Sequence, residues 1–269
     1  MTARDAAGLG PRALRRHARG RAGGPVPLAF PLAFLLVSPS FFGLAPAPLL
    51  PMTLRLALFD FDGTLADSYP VFADSLNGLA ARHGFRQTAD GDQRKLRGLS
   101  ASEVLRELAL PIWKVPAVLS DARRIMNERI DEVRPFPGIV AALHALIDRQ
   151  IAVAVATSNS QDNVRAVLGD ALVDRFAAVE CSSSLFGKSH RLRTILKTTG
   201  TDAAHAIYIG DEIRDAEAAD GVGLRYGAVG WGYTDLDALL AKRPHQVFRE
   251  PAELLALGEG TARQAQADA

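Results

Sequence analysis

The sequence predicts an α/β fold, a parallel sheet wrapped by helices and interrupted by a purely helical insert. Three observations predict it. Short, mostly unalternating apolar runs recur along the chain, as in strands covered on both faces. Helical patterns fill the intervals between the later runs, the alternation expected of a parallel sheet with right-handed crossovers. Between the first two runs, residues 70–135 read as several helices with no strong strand, too long a stretch for a simple crossover.

The first expected strand is the apolar run Leu54–Phe59. Helices of the insert are expected at Pro70–His83, Ser102–Leu108 and Pro116–Glu132. Pro70 and Pro116 suit the first position of a helix, where a missing N–H costs nothing. Arg97-Gly98-Leu99 is expected as a loop between these helices, facing the end of the first strand. The later strands are expected at Ile151–Ala156, Ala177–Cys181, Ala206–Ile209 and Gly223–Val229. Helices at Ile139–Gln150, Gln161–Leu168, Arg191–Gly200 and Ile213–Ala219 alternate with them. Pro137-Gly138 marks the start of the first of these helices, and Gly169, Gly200 and Gly221 lie near the ends of the others. The expected organisation is a leader over 1–52, a core from 53–69 and 136–257, a helical cap over 70–135 and a flexible tail over 258–269.

Composition narrows the function classes. The chain has 269 residues, 48% hydrophobic and 23% charged, as in ordinary soluble proteins. Its net charge of +1 conceals an asymmetry, because residues 1–51 hold six arginines and a single acidic residue. The body is therefore mildly acidic, which argues against a nucleic-acid surface. Cys181 is the only cysteine, so an intrachain disulfide and a cysteine-rich zinc site are both excluded. The leader imitates a secretory signal, with arginines first, the apolar run Leu32–Val37 and then Ala45-Pro46-Ala47. Prolines inside its apolar region count against export, and the run is far too short to span a bilayer. A start at Met52, leading straight into the first strand, is the favoured alternative. A cytoplasmic protein without membrane contact is expected, as a monomer or homodimer.

Four motifs carry chemistry. Asp60-Phe61-Asp62-Gly63-Thr64 follows the first strand, and strand alternation would point both carboxylates the same way. Gly63 permits a sharp turn, which places two acidic groups at the carboxyl edge of the sheet, where open α/β folds bind ligands. Paired carboxylates can hold a divalent cation, and one can serve as a nucleophile. Thr157-Ser158-Asn159 follows the second strand, ahead of a helix start suited to phosphate oxygens, although such residues also serve as ordinary helix caps. Lys188, beside Gly187 and before a helix, is placed to neutralise a phosphoryl group and a carboxylate. Gly210-Asp211-Glu212-Ile213-Arg214-Asp215 repeats the pattern of a buried strand running into an acidic turn.

In this order the four motifs resemble those of the haloacid-dehalogenase-like hydrolase superfamily, over about residues 54–255. Leu65-Ala66-Asp67-Ser68, Pro135-Phe136-Pro137-Gly138 and Val229-Gly230-Trp231-Gly232 are similar to phosphoglycolate-phosphatase-type members with a helical cap. The resemblance implies a Rossmann-like core and a phosphatase acting on a small phosphorylated metabolite, phosphoglycolate-like or a sugar phosphate. It makes Asp60 the nucleophile, forming an aspartyl-phosphate, and Asp62 the acid and then the base. Thr157 and Lys188 would hold the phosphoryl oxygens, with Gly63, Ser158, Asn159 and Arg97 as further substrate contacts. Mg²⁺ would be bound by Asp60, the Asp62 carbonyl and Asp211. Asp215 would join them or orient Lys188, and Glu212 is an additional candidate. An acid at Asp62 favours ester hydrolysis over dehalogenation, because a halide leaves unprotonated. Phosphonate cleavage would need a cap lysine, for which the insert offers Lys95 and Lys114. A sugar-phosphate mutase and a non-catalytic binding module on the same fold are the alternative readings.

Overall fold

A computed structural model describes residues 53–89, 92–181 and 187–258. The expectations for the leader (1–52), for the serine-rich turn with Leu185 and Phe186, and for the tail beyond Gly258 lie outside these residues.

Strand β1 (Leu56–Phe59) is completely buried. Its pleat sends Ala57 and Phe59 into one apolar cluster and Leu56 and Leu58 into another on the opposite face. The chain then turns into a two-residue strand, β2 (Ala66–Asp67), and enters four helices. These are α1 (Tyr69–His83), α2 (Asp92–Arg97), α3 (Ala101–Glu107) and α4 (Val115–Glu128). It returns through β3 (Arg134–Pro135), which pairs antiparallel with β2. The helices between them share an apolar cluster of their own, including Leu76, Leu79, Leu108 and Val118.

Beyond β3 strands and helices alternate. They run α5 (Ile139–Asp148), β4 (Ala152–Thr157), α6 (Gln161–Leu168), α7 (Asp170–Val173) and β5 (Ala178–Cys181). After these come α8 (Lys188–Thr199), β6 (Ala206–Gly210), α9 (Ile213–Asp220), β7 (Arg225–Val229), α10 (Leu236–Leu240) and β8 (Gln246–Phe248). The sheet is parallel throughout, in the order β5-β4-β1-β6-β7-β8. Helices α5, α6 and α7 supply the cluster on one face, and α8, α9 and α10 the cluster on the other. Phe59 lies level with Val155 of β4 and Ile209 of β6, and β4 runs two residues further, to Thr157, and β6 one, to Gly210. The chain builds outward from β1 to β5, then crosses back to β6, so the sheet order reverses beside β1. That switch point opens the crevice in which parallel sheets bind ligands.

The structure corrects several local expectations. β1 stops at Phe59, so alternation does not extend to Asp62, and the turn rather than the pleat aims that side chain. Arg97 ends a helix instead of sitting in a loop, because α2 is too short and polar to show a periodic apolar stripe. The expected helix Pro116–Glu132 breaks at Arg129 and continues as a 3₁₀ turn over Ile130–Glu132. The β2–β3 ribbon and β8 were not anticipated, being two and three residues long. No helix of the described residues is long and apolar enough to cross a membrane.

Leu143 of α5 has no exposed surface and sits within the first cluster. Leu143→Ala is expected to cost about 3 kcal/mol, read as a lower urea midpoint with an unchanged slope.

Candidate active site

Three strand ends converge. The Asp60 amide donates to the Ile209 carbonyl at 2.9 Å, carrying the β1–β6 pairing one residue past the strand. The turn closes when the Phe61 carbonyl accepts the amides of Leu65 and Ala66, both at 2.9 Å. Gly63 has φ of 77°, and a Cβ there would overlap the Asp211 carboxylate and the Tyr233 ring. Asp211, fully buried after β6, is held from two sides. Thr64 Oγ1 donates to its Oδ1 at 2.7 Å, and the Tyr233 amide donates to its Oδ2 at 2.7 Å. Gly232 is also obligatory, since its missing Cβ is the space that Asp211 occupies.

Lys188, the first residue of α8, inserts its ammonium between β1 and β6. Nζ donates to Asp60 Oδ2 at 2.6 Å and to Asp215 Oδ1, and lies 3.8 Å from Glu212 Oε2. Tyr208 Oη donates to Asp215 Oδ1 at 2.8 Å, while Asp215 Oδ2 accepts the Glu212 amide at 2.9 Å and caps α9. Arg214 Nε pairs with Glu212. The Phe61 amide donates to Asp60 Oδ1 at 2.9 Å, which fixes the plane of that carboxylate.

The electrostatics follow from burial. Asp60 is pushed up to about 7 by desolvation; Lys188 opposes the shift, and Asp215 and Glu212 add to it. Asp211 rises well above the usual carboxylate range through burial and then through Glu212, Asp215 and Asp60. Burial also works against the charge of Lys188, but Asp215 and Asp60 outweigh it and hold the amine above its ordinary value. Asp62 is raised by burial, with Ser68 and Asn159 pulling the other way, so its protonated form is favoured more than in water.

Oxygens of Asp60, Asp211 and Asp215 lie within 4.8 Å of one another, all buried. Hard carboxylate oxygens at this spacing suit a divalent cation. The upward shifts of Asp60 and Asp211 mark a site short of positive charge, so the donor set fits such an ion.

On the β4 side, Thr157 is fully buried and its Oγ1 accepts the Asn159 amide at 2.9 Å. Capping of α6 falls to Ser160, whose hydroxyl accepts the Asn163 amide at 3.1 Å. Thr157, Ser158 and Asn159 are therefore not the cap. Asn159 Nδ2 donates to Asp62 at 3.2 and 3.3 Å, and its Oδ1 accepts from Asn163 Nδ2 at 2.6 Å. Asn163 Nδ2 also reaches Asn127 Oδ1 of α4 at 2.6 Å, so a chain of asparagines runs from Asp62 to the helical insert. Arg97 lies on the other rim. Its Nη2 donates to the Gly232 carbonyl at 2.6 Å and its Nε to the Tyr233 carbonyl at 3.1 Å, with Tyr69 under the guanidinium.

Sequence reasoning missed Tyr208, Tyr233, Asn163 and the Thr64–Asp211 bond. Tyr208 reads as one more apolar strand residue, and Asn163 as a surface position on a helix. For Tyr233 a signal existed in the neighbouring Gly230-Trp231-Gly232, since two glycines around a tryptophan imply close backbone approach.

The family model described as haloacid dehalogenase-like hydrolase matches residues 57–229. The chain is 32% identical over 203 residues to a phosphoglycolate phosphatase of Synechococcus elongatus, covering 75% of this chain and 96% of that protein. It is 30% identical over 209 residues to a 5'-nucleotidase of Pseudomonas aeruginosa, covering 74% and 92%. Among solved structures, a CbbY variant of Rhodobacter sphaeroides in complex with xylulose-1,5-bisphosphate superposes with a TM-score of 0.59 at 21% identity, covering 74% of this chain and 96% of that one.

The raised Asp60 sets the sign of a pH effect. Between the ordinary value of 3.8 and about 7, the folded protein keeps a proton that the unfolded chain has released. Its stability in chelator therefore falls as pH rises through that window. Asp60→Asn lacks this titration, so its melting temperature relative to the natural chain is expected to rise from pH 5 to 8, whatever the constant offset from losing the Lys188 pair. Mg²⁺ should shrink that relative rise, and thermal unfolding of both proteins with and without the ion checks it.

Proposed function

We propose that this chain, which belongs to the haloacid dehalogenase-like hydrolases and is a phosphoric monoester hydrolase of the phosphoglycolate-phosphatase type, hydrolyses its ester with Mg²⁺ through an aspartyl-phosphate on Asp60. The observation that carries the reading is the Lys188 ammonium bridging Asp60 and Asp215 beside Asp211, at the switch point of the sheet. Phosphoglycolate and sugar phosphates are the small metabolites to test first.

Asp60 and Asp211, with the Asp62 carbonyl, would hold the cation, and Asp215 acts beside it by orienting Lys188. When bound, the ion supplies the positive charge that lets an anionic carboxylate approach an anionic phosphoryl group. Lys188 and the Thr157 hydroxyl hold the phosphoryl oxygens, with Ser158, Asn159 and Gly63 as surrounding contacts, while Arg97, bonded to the Gly232 and Tyr233 carbonyls, shapes the rim instead of binding substrate. An Asp60 oxygen attacks phosphorus, the bond from phosphorus to the leaving oxygen breaks, and Asp62 gives that oxygen its proton. Asp62, now ionised, takes a proton from water. The hydroxide formed attacks the same phosphorus and breaks its bond to Asp60. The products are alcohol and inorganic phosphate. The raised Asp62 suits this sequence, because the residue must enter protonated and leave restored. Asn159 keeps its carboxyl group turned to the leaving oxygen throughout.

Phosphate release with Mg²⁺ is expected to vanish in chelator and in Asp60→Asn, with the far-ultraviolet circular dichroism unchanged. Retained turnover in that variant would remove Asp60 as nucleophile. Asp62→Asn is expected to slow alkyl esters by about 10²–10⁴-fold. In kcat/KM, which reports the ester-cleaving step, the same variant should slow p-nitrophenyl phosphate much less, since nitrophenolate leaves without a proton. Its kcat is expected to fall for both esters, because Asp62 also activates the water. Equal losses of kcat/KM on both esters would show that Asp62 is not the acid.

A further inference from the structure

A cavity of about 270 Å³ lies among the four insert helices and opens at the rim of the catalytic centre. Its apolar lining includes Leu76, Leu79, Leu108 and Val118, none more than 8% exposed. The polar residues of the lining, chiefly Arg97, Glu212, Arg214 and Tyr233, come from the end of α2 and from the core segments beside the catalytic carboxylates. Two of these are already committed. Arg97 is spent on the Gly232 and Tyr233 carbonyls, and Arg214 on Glu212. The opening is continuous with the chemistry, because Glu212 lies 3.8 Å from the Lys188 ammonium and the Tyr233 amide holds Asp211.

Interiors are normally packed without voids of this size, and an apolar cavity of roughly 150 Å³ already admits a benzene-sized guest. A polyol placed here would leave its hydroxyls facing leucine, valine and phenylalanine with nothing to bond, a heavy desolvation cost. An alkyl, aryl or prenyl group would instead gain by leaving water.

The geometry points to a phosphomonoester of an apolar alcohol as the preferred substrate, with its hydrocarbon lodged among Leu76, Leu79, Leu108 and Val118 and its phosphate at Asp60 and Lys188. This rests on the phosphatase reading above and specifies the leaving group. The reaction is ester plus water giving a hydrophobic alcohol and inorganic phosphate. The alcohol takes its proton from Asp62, and the cavity holds its chain.

The test is kcat/KM of the full chain with Mg²⁺ on n-alkyl phosphates from methyl to octyl, beside phosphoglycolate and p-nitrophenyl phosphate. Each added methylene is expected to raise kcat/KM about fourfold until the cavity is full. Val118→Trp should collapse the octyl-to-methyl ratio toward one, and Ala122→Leu, a smaller insertion into the same wall, should lower it if the tryptophan variant does not fold. Ready hydrolysis of phosphoglycolate with a flat alkyl series would overturn the apolar leaving group and leave the phosphatase intact. If no ester is hydrolysed, the phosphatase reading fails. Calorimetry with n-alkylphosphonates then decides the cavity, for which affinity rising with chain length is support and flat affinity is refutation.

Discussion

Lys188 Nζ lies 2.6 Å from Asp60 and also contacts Asp215, with its side chain 7% exposed. An ammonium taken this far out of water survives only where carboxylates surround it, and deleting one partner of such a pair typically costs about 3–5 kcal/mol. The placement of several elements follows from that constraint. β1 and β6 must pair in register, Phe59 beside Ile209, so that Asp60 and Asp215 at the start of α9 face one another. α8 must begin at Lys188 itself, and Tyr208 must hold Asp215 from within the sheet. The carboxylates in turn exceed the cations available, and that surplus pushes Asp60 and Asp211 upward and makes the site receptive to a divalent ion.

The opposite wall of the crevice is organised by neutral groups. Asn159 holds Asp62 and is itself held by Asn163, which bonds Asn127 of the insert. Amide partners leave the protonation of Asp62 freer than a fixed charge would, in keeping with the acid and base role proposed for it. Arg97 makes the corresponding tie on the far rim, through backbone carbonyls that no substitution at Gly232 or Tyr233 would remove. The insert thus meets the core through polar contacts at both rims, while its interior stays apolar.

Much of this was legible in local pattern. Unalternating runs identified five of the six strands of the sheet, and helical patterns without a strong strand over residues 70–135 pointed to helices where α1 to α4 are found. The reading of Asp60 and Asp62 as a pair aligned by strand alternation is corrected by the structure. The pleat ends at Phe59, and the two carboxylates answer to different partners, Lys188 and Asn159. The α2 helix and β8 escaped notice because elements this short carry too few residues to establish a period.

The sequence by itself determined which segments are buried and where acidic, hydroxylic and basic groups punctuate them, since periodicity and turn chemistry are properties of neighbouring residues. Only the tertiary structure decided which of those groups meet. Thr64 and Asp211, 147 positions apart, bond because the sheet order places β6 beside β1. β2 and β3 pair because the insert returns to its point of departure. The apolar cavity is lined by residues of four helices and their ends, among them Leu76, Leu108 and Val118, that only the packing of the insert brings together. Such distances depend on the way whole layers stack, and no short window of sequence contains that information.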